Sequence, residues 1–263
     1  MRLAQTAASG IRAQQVAVDT IGNNIANANT PGFKMNQMNF AEALSAEVRS
    51  EKAITVGDSR PAAALDVGTG VLYNSSGTNF QQGNLAQTDR PLDLGINGVG
   101  FFQVQTLDGR TGYTRAGAFH VDGSGQFTDM QGNIILPSVV VPSAAEELSV
   151  DSNGEITGVV GGVKSVLGQI SLAGFQNPSG LERIGNNLFV PSANSGAPQV
   201  GQPGTPLGNQ VLGTIRGQSL EQSNVDLAAS ITDLIQVQRA YQTNARLVQD
   251  GDQMWGIANT MRR

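Results

Sequence analysis

His120 is the only histidine in the chain, between Phe119 and Val121 and just ahead of Asp122-Gly123. Imidazole titrates near neutral pH, so acid–base chemistry would be sought there first. It stands without helpers. No second histidine, no cysteine and no spaced set of carboxylates accompanies it, so neither a metal centre nor a nucleophile–base pair can be assembled. Asp151-Ser152-Asn153-Gly154-Glu155 looks like the opening of a calcium loop. Such a loop needs glycine at its sixth position and a closing glutamate at its twelfth, and neither spacing is met. A hairpin turn is the better reading, there and at Asp122-Gly123-Ser124-Gly125. No glycine pattern suited to a phosphate follows a strand and opens a helix. No catalytic residue, metal or cofactor is assigned, and an enzyme is not expected.

Composition points the same way. The chain has 263 residues with 16 basic and 21 acidic side chains. That balance excludes nucleic acid as the main partner, because phosphate neutralisation needs a basic face. Glycine is abundant at 33 residues and aromatics are sparse at 5%, which suits many tight turns and polar surfaces. No apolar run approaches a membrane span. The first residues carry no continuous apolar stretch of the signal-peptide kind.

The elements that would position any site lie at the two ends. Leu3, Ala7, Ile11, Gln14, Val18, Ile21, Ile25 and Ala28 follow one another in steps of three and four. So do Leu227, Ile231, Leu234, Gln238, Tyr241, Ala245, Val248, Asp252 and Trp255. This is the spacing of a seam between coiled helices. It predicts helices over residues 3–29 and 223–259, the second capped by Ser223 or Asn224. Gly10 and Gly22 weaken the first helix by about 1 kcal/mol each, so it needs a partner surface. The run Asn23-Asn24-Ile25-Ala26-Asn27-Ala28-Asn29 is costly in a helix. It reads either as fraying ahead of Pro31 or as amides bonding neighbouring backbones in an assembly, and both stay open.

Between the helices, residues 71–217 show strand-like runs separated by Asn-Gly and Asp-Gly turns. The runs include Phe101–Val104, Phe119–Val121, Ile134–Leu136 and Val139–Val141. The proline- and glycine-rich stretch 191–209 reads as a loop or exposed edge without a regular element. Residues 36–70 read as an extended connector, with a short helix possible around Phe40, Ala41, Ala43, Leu44 and Val48. The fold class is therefore α+β. Residues 1–35 and 220–263 form an antiparallel coiled-coil-like helical domain, 36–70 a connector, and 71–219 a mostly antiparallel β-domain.

Three blocks resemble one family. Ile21-Gly22-Asn23-Asn24 through Thr30-Pro31-Gly32-Phe33-Lys34 is similar to the N-terminal signature of bacterial flagellar basal-body rod and hook proteins. Ser223-Asn224-Val225-Asp226 through Ala240-Tyr241-Gln242-Thr243-Asn244 is similar to their C-terminal signature. Gly98–Val104 with Tyr113–Phe119 resembles their β-domain. Length and the segment 40–70 resemble the distal-rod branch, with the proximal-rod branch as the alternative. Outside the family, the alternatives are a secreted β-rich adhesin or enzyme, or a dimeric two-helix module.

The resemblance implies a subunit of a hollow helical tube that carries motor torque and is exported without a cleaved signal. Its place would be the flagellum basal body, outside the cytoplasmic membrane. The implied partners are copies of itself, proximal rod proteins and hook protein at the two ends, the flagellar export apparatus, and L/P ring proteins where an outer membrane is present. The assembly interface is expected on Leu3, Ile11, Gln14, Val18, Ile21, Asn24, Ile25 and Asn27. On the second helix it is expected on Leu227, Ile231, Leu234, Gln238, Tyr241, Val248 and Trp255. Phe40, Leu44, Val48 and Leu65 are the expected connector contacts.

Overall fold

The computed structural model describes residues 2–43, 46–48, 65–67, 70–207 and 210–261. They fall into two compact units. One holds residues 1–25, 36–77 and 227–263; the other holds 26–35 and 78–226. No helix among the described residues is long and apolar enough to cross a membrane.

The helical unit is built on α1 (Arg2–Ala26) and α2 (Leu227–Thr260). α1 ends three residues before the expected boundary, because the asparagine run closes it with its own bonds. The Thr30 amide donates to the Asn27 carbonyl at 3.1 Å, and the Thr30 hydroxyl to Asn27 Oδ1 at 3.2 Å. α2 starts at Leu227, so neither Ser223 nor Asn224 is its cap; the side chain of Asn224 is used elsewhere. The two helices run antiparallel. A Cβ on Gly10 would come within 2.8 Å of the Asn244 amide, while Gln15, Val18 and Asp19 share a groove with Gln238, Tyr241 and Gln242.

The segment after α1 departs from the expected connector. Asn36–Glu42 is a strand, where a short helix was expected nearby, and it pairs with Val71–Thr78. Further out, Ala46–Val48 pairs antiparallel with Leu65–Val67, Val48 opposite Leu65. The segment is thus a two-stranded ribbon, and Leu44 lies outside the described residues. Burial alternates along the start of the first strand, with Asn36 and Met38 inward and Gln37 and Asn39 outward. A pleated strand gives this period of two, whereas a helix would not. α1 holds the ribbon through polar side chains. Asn24 accepts from the Asn36 amide and donates to the Asn36 carbonyl, both at 2.9 Å. The Thr20 hydroxyl reaches Met38 Sδ at 3.2 Å, and Ser9 Oγ accepts from the Val71 amide at 3.3 Å. Asn24 is only 4% exposed, so its amide replaces a strand neighbour for Asn36 within the same chain.

The other unit is β-structure. Its nine-stranded sheet places Glu182–Gly185, Leu188–Val190, Thr111–Thr114, Phe101–Gln105, Ile134–Leu136, Phe127–Asp129 and Phe119–Val121 side by side. Leu172–Gly174 pairs with Phe101–Gln105 and with Gln199–Gly201. That last strand falls in the stretch expected to lack regular structure; backbone pairing overrides its local composition. Val139–Val141 is no strand, although Val139 and Val141 enter the core. A separate antiparallel sheet joins Ala145–Val150, Glu155–Val160 and Val163–Gln169. Adjacent strand residues serve opposite faces. Phe102 joins Leu94, Ile96, Phe119, Phe127 and Ile135 in the main core, while Phe101 joins Tyr113, Phe175 and Phe189 in a second one. The aromatic contacts of that second core are edge-to-face, with centroids 4.9–6.3 Å apart.

The two calcium-like segments are hairpin turns. In each, the aspartate carbonyl accepts from a glycine three residues on: Gly125 to Asp122 at 3.0 Å, Gly154 to Asp151 at 2.9 Å. Both glycines have φ near +80° (83° and 79°), which a residue without Cβ adopts cheaply.

Replacing Asn24 by Ala removes both bonds to Asn36, at an expected cost of about 1–3 kcal/mol for a buried backbone pair. Hydrogen exchange at the Asn36 amide should accelerate while the amides of Phe102 and Phe119 stay protected. Unchanged exchange at Asn36 would show that the ribbon does not depend on this side chain.

Candidate assembly site

Two features could serve an assembly: the seam between the helices and the anchoring of the segments that enter and leave them. Where the helices meet, Gly10 faces Asn244. Ala7, Ala13 and Ala17 are the buried alanines of α1, and Ala13 and Ala17 fall on the helix face from which Ser9, Thr20 and Asn24 bond the ribbon. The larger expected residues Ile11, Gln14, Val18, Ile21 and Ile25 are half-buried beside them. Asn27 is half-buried in the turn after the helix. Leu3 lies on α1, and its side chain is outside the description.

α2 divides its apolar residues. Leu234 and Val248 are half-buried, whereas Leu227, Ile231, Gln238, Tyr241 and Trp255 are exposed. Ile235, Leu247, Met254 and Ile257 are exposed as well. The structure therefore brings only part of the expected stripe into contact and leaves the remainder to solvent. On the ribbon, Phe40, Leu72 and Tyr73 are similarly exposed.

The anchoring lies in the β unit. Lys34, Arg115 and Glu221 form a buried ion cluster. Lys34 Nζ donates to Glu221 Oε1 at 2.5 Å and to the Gln81 carbonyl at 2.7 Å. Arg115 Nη1 donates to Glu221 Oε2 at 3.2 Å, and its Nη2 to the Gly98 carbonyl at 2.9 Å. The Gly83 amide completes the carboxylate at 2.9 Å. The side chains of Lys34 and Glu221 are fully buried and that of Arg115 is 4% exposed. Burial pulls the Lys34 ammonium below its ordinary range, and Glu221 opposes that shift. The Arg115 guanidinium is pulled down by burial in the same way.

Around this cluster the entering and leaving chains are laced together. The Gly32 amide donates to the Glu221 carbonyl at 2.7 Å. Gly32 has φ +69°, and a Cβ there would lie 2.4 Å from the Ala116 nitrogen, so only glycine fits the Pro31-Gly32 bend. Asn224 accepts from the Met35 amide at 2.8 Å. Its own amide donates to the carbonyls of Asn79 at 2.8 Å and Gln81 at 3.1 Å. Phe33 is buried under the Arg183 guanidinium, 4.8 Å from its ring centre.

Sequence reasoning did not single out Lys34, Arg115, Glu221 or Asn224 for this role. A weak signal existed, since a chain with only 14% charged residues places each of these charges beside a glycine- or serine-rich turn. His120 is where the sequence suggested, in a strand and half-buried, with Nε2 3.4 Å from the Thr128 hydroxyl. Among the described residues, no group of His, Cys, Asp and Glu is arranged to hold a metal ion.

Comparison with known proteins gives a consistent result. Residues 5–34 match the flagella basal body rod protein family. Residues 95–158 match the flagellar hook protein FlgE/F/G D1 domain, and residues 216–261 the flagellar basal body rod FlgEFG protein C-terminal family. The chain is 37% identical over 266 residues to flagellar basal-body rod protein FlgG of Caulobacter vibrioides, covering all of both chains. It is 36% identical over 268 residues to FlgG of Agrobacterium fabrum, covering 98% of each. It is 31% identical over 277 residues to the flagellar hook-basal body complex protein FlhP of Bacillus subtilis, again covering all of both.

Glu221→Gln would leave two buried cations facing a neutral amide. Removing one partner of such a pair costs about 3–5 kcal/mol. The urea midpoint of the β unit, followed by hydrogen exchange at the Phe102 and Phe119 amides, should fall accordingly. A midpoint within error of the parent chain would contradict the role given to the cluster.

Proposed function

The chain belongs to the flagellar basal-body rod family, and from that premise we propose that it is the structural subunit of the distal rod. It is a structural protein of motility, not an enzyme. Copies assemble into a rigid hollow helical tube that transmits motor torque to the hook. The observation that carries this reading is the divided apolar surface of α2. Leu227, Ile231, Ile235, Leu247, Trp255 and Ile257 are between 42% and 60% exposed. A monomer rarely leaves so many large apolar side chains on one helix without a partner. Heterologous, non-closing contacts between copies would cover them.

In this reading the terminal helices supply the inner wall of the tube, through Leu3, Ile11, Val18, Ile21 and Ile25 together with the exposed residues of α2. Asn24 and Asn27 serve the subunit itself, the first on Asn36 and the second on Thr30. The ribbon, with Phe40, Val48 and Leu65, packs between neighbouring copies and blocks the sliding that bending requires. Proximal rod proteins and hook protein meet the two ends of the tube, and the flagellar export apparatus delivers the chain. Ring proteins surround the tube where an outer membrane is present.

Electron microscopy of the concentrated protein should show straight hollow tubes. A chain shortened by residues 46–67 should give curved or flexible ones. Discrete particles from the parent chain would sink the assembly reading, and straight tubes from the shortened chain would remove the role given to the ribbon.

A further inference from the structure

Leu234, Tyr241, Val248 and Trp255 are spaced by seven and lie on one face of α2. Leu234 and Val248 are half-buried, but Trp255 is 60% exposed. α2 continues to Thr260, and Trp255 stands on this face near its C-terminal end.

The same pair of helices carries an open groove of about 550 Å³, lined by Gln15, Val18, Asp19, Gln238, Tyr241 and Gln242. Val18 and Tyr241 offer apolar surface, and the other four place hydrogen-bonding groups around it. That is the environment an indole requires, since its ring is apolar and its N–H is a donor that needs an acceptor when buried. The chain cannot fill its own groove with this residue. Trp255 and Tyr241 are on one rigid helix, about 20 Å apart along its axis.

We propose that Trp255 of one copy seats in the α1–α2 groove of the next. Its ring lies on Val18 and Tyr241, and its N–H is accepted by Asp19 or a glutamine carbonyl. Knob and socket are different patches of one surface, offset along the helix axis. The contact is therefore head-to-tail and repeats without closing. It continues the α1–α2 seam from copy to copy, which argues for a second copy as occupant. The proposal rests on the self-assembly reading and names the joint that carries it.

The chain has one tryptophan and no cysteine, so two measurements isolate this contact. On assembly, tryptophan emission should shift to the blue and acrylamide quenching should fall several-fold. Trp255→Ala should raise the concentration needed for assembly by at least about tenfold, as loss of a buried aromatic anchor does, with unchanged helix content in the free chain. A Gly256→Cys, Gln242→Cys double variant keeps the tryptophan, and a Cβ at Gly256 meets nothing within 4 Å. Oxidised tubes of this variant should give a ladder of covalent oligomers on a non-reducing gel, which neither single variant should give. Tubes whose tryptophan stays as exposed as in the free chain, without a ladder, overturn this joint alone. Absence of tubes overturns the assembly reading and this inference with it.

Discussion

The buried carboxylate of Glu221 is the constraint on which the rest depends. It holds Lys34, 187 residues away in sequence, and Arg115, 106 residues away. Replacing such a cluster by apolar side chains is often neutral or stabilising, so its net contribution to stability need not be large. Its consequence is selective. Any arrangement that separates the partners leaves an unpaired charge in a dry interior, at several kcal/mol per ion. Gly32 bonds the main chain of Glu221, and Asn224 bonds Met35, Asn79 and Gln81. The stretches that follow α1, follow the ribbon and precede α2 therefore have one low-energy arrangement within the β unit.

The two units differ in how completely they satisfy themselves. The β unit has two closed cores, and residues such as Phe102, Phe119, Phe127 and Phe189 have no exposed surface. The helical unit satisfies its polar groups through Asn24, Thr20 and Ser9 and packs its alanines. It leaves its largest apolar side chains open. A helix pair that leaves its large apolar side chains exposed gains less from burial than one that closes over them, since apolar gain scales with area removed from water. The remaining gain requires a partner surface from outside the chain, which under the proposed function is a further copy.

Much of the plan was legible in the sequence because it rests on local rules. Steps of three and four marked both helices, and Asp-Gly and Asn-Gly marked the hairpins. His120 lies half-buried in a strand, as its apolar neighbours suggested. What escaped depended on distant partners. Nothing near Glu221 says that Lys34 will meet it. The ribbon looked like a connector with a helix because Ala41, Ala43 and Leu44 favour helix locally, whereas Asn36 is set by Asn24 twelve positions earlier. The asparagine run was read as a helix end or an assembly contact, and Asn24 proved to bond the chain's own backbone. The stripe included Ala7 but passed over Gly10, which lies against Asn244, and over Ala13 and Ala17, which are buried.

The central claim is that the apolar surface left open on the helices, rather than any face of the β unit, joins the copies. Hydrogen–deuterium exchange of free and polymerised protein tests this most directly. The account predicts new protection along α1, along α2 through residues 253–260, and along the ribbon, with Gly83 and Gly32 beside Glu221 equally protected in both states. Protection gained mainly at the hairpins of the β unit, with α2 unchanged, would contradict it.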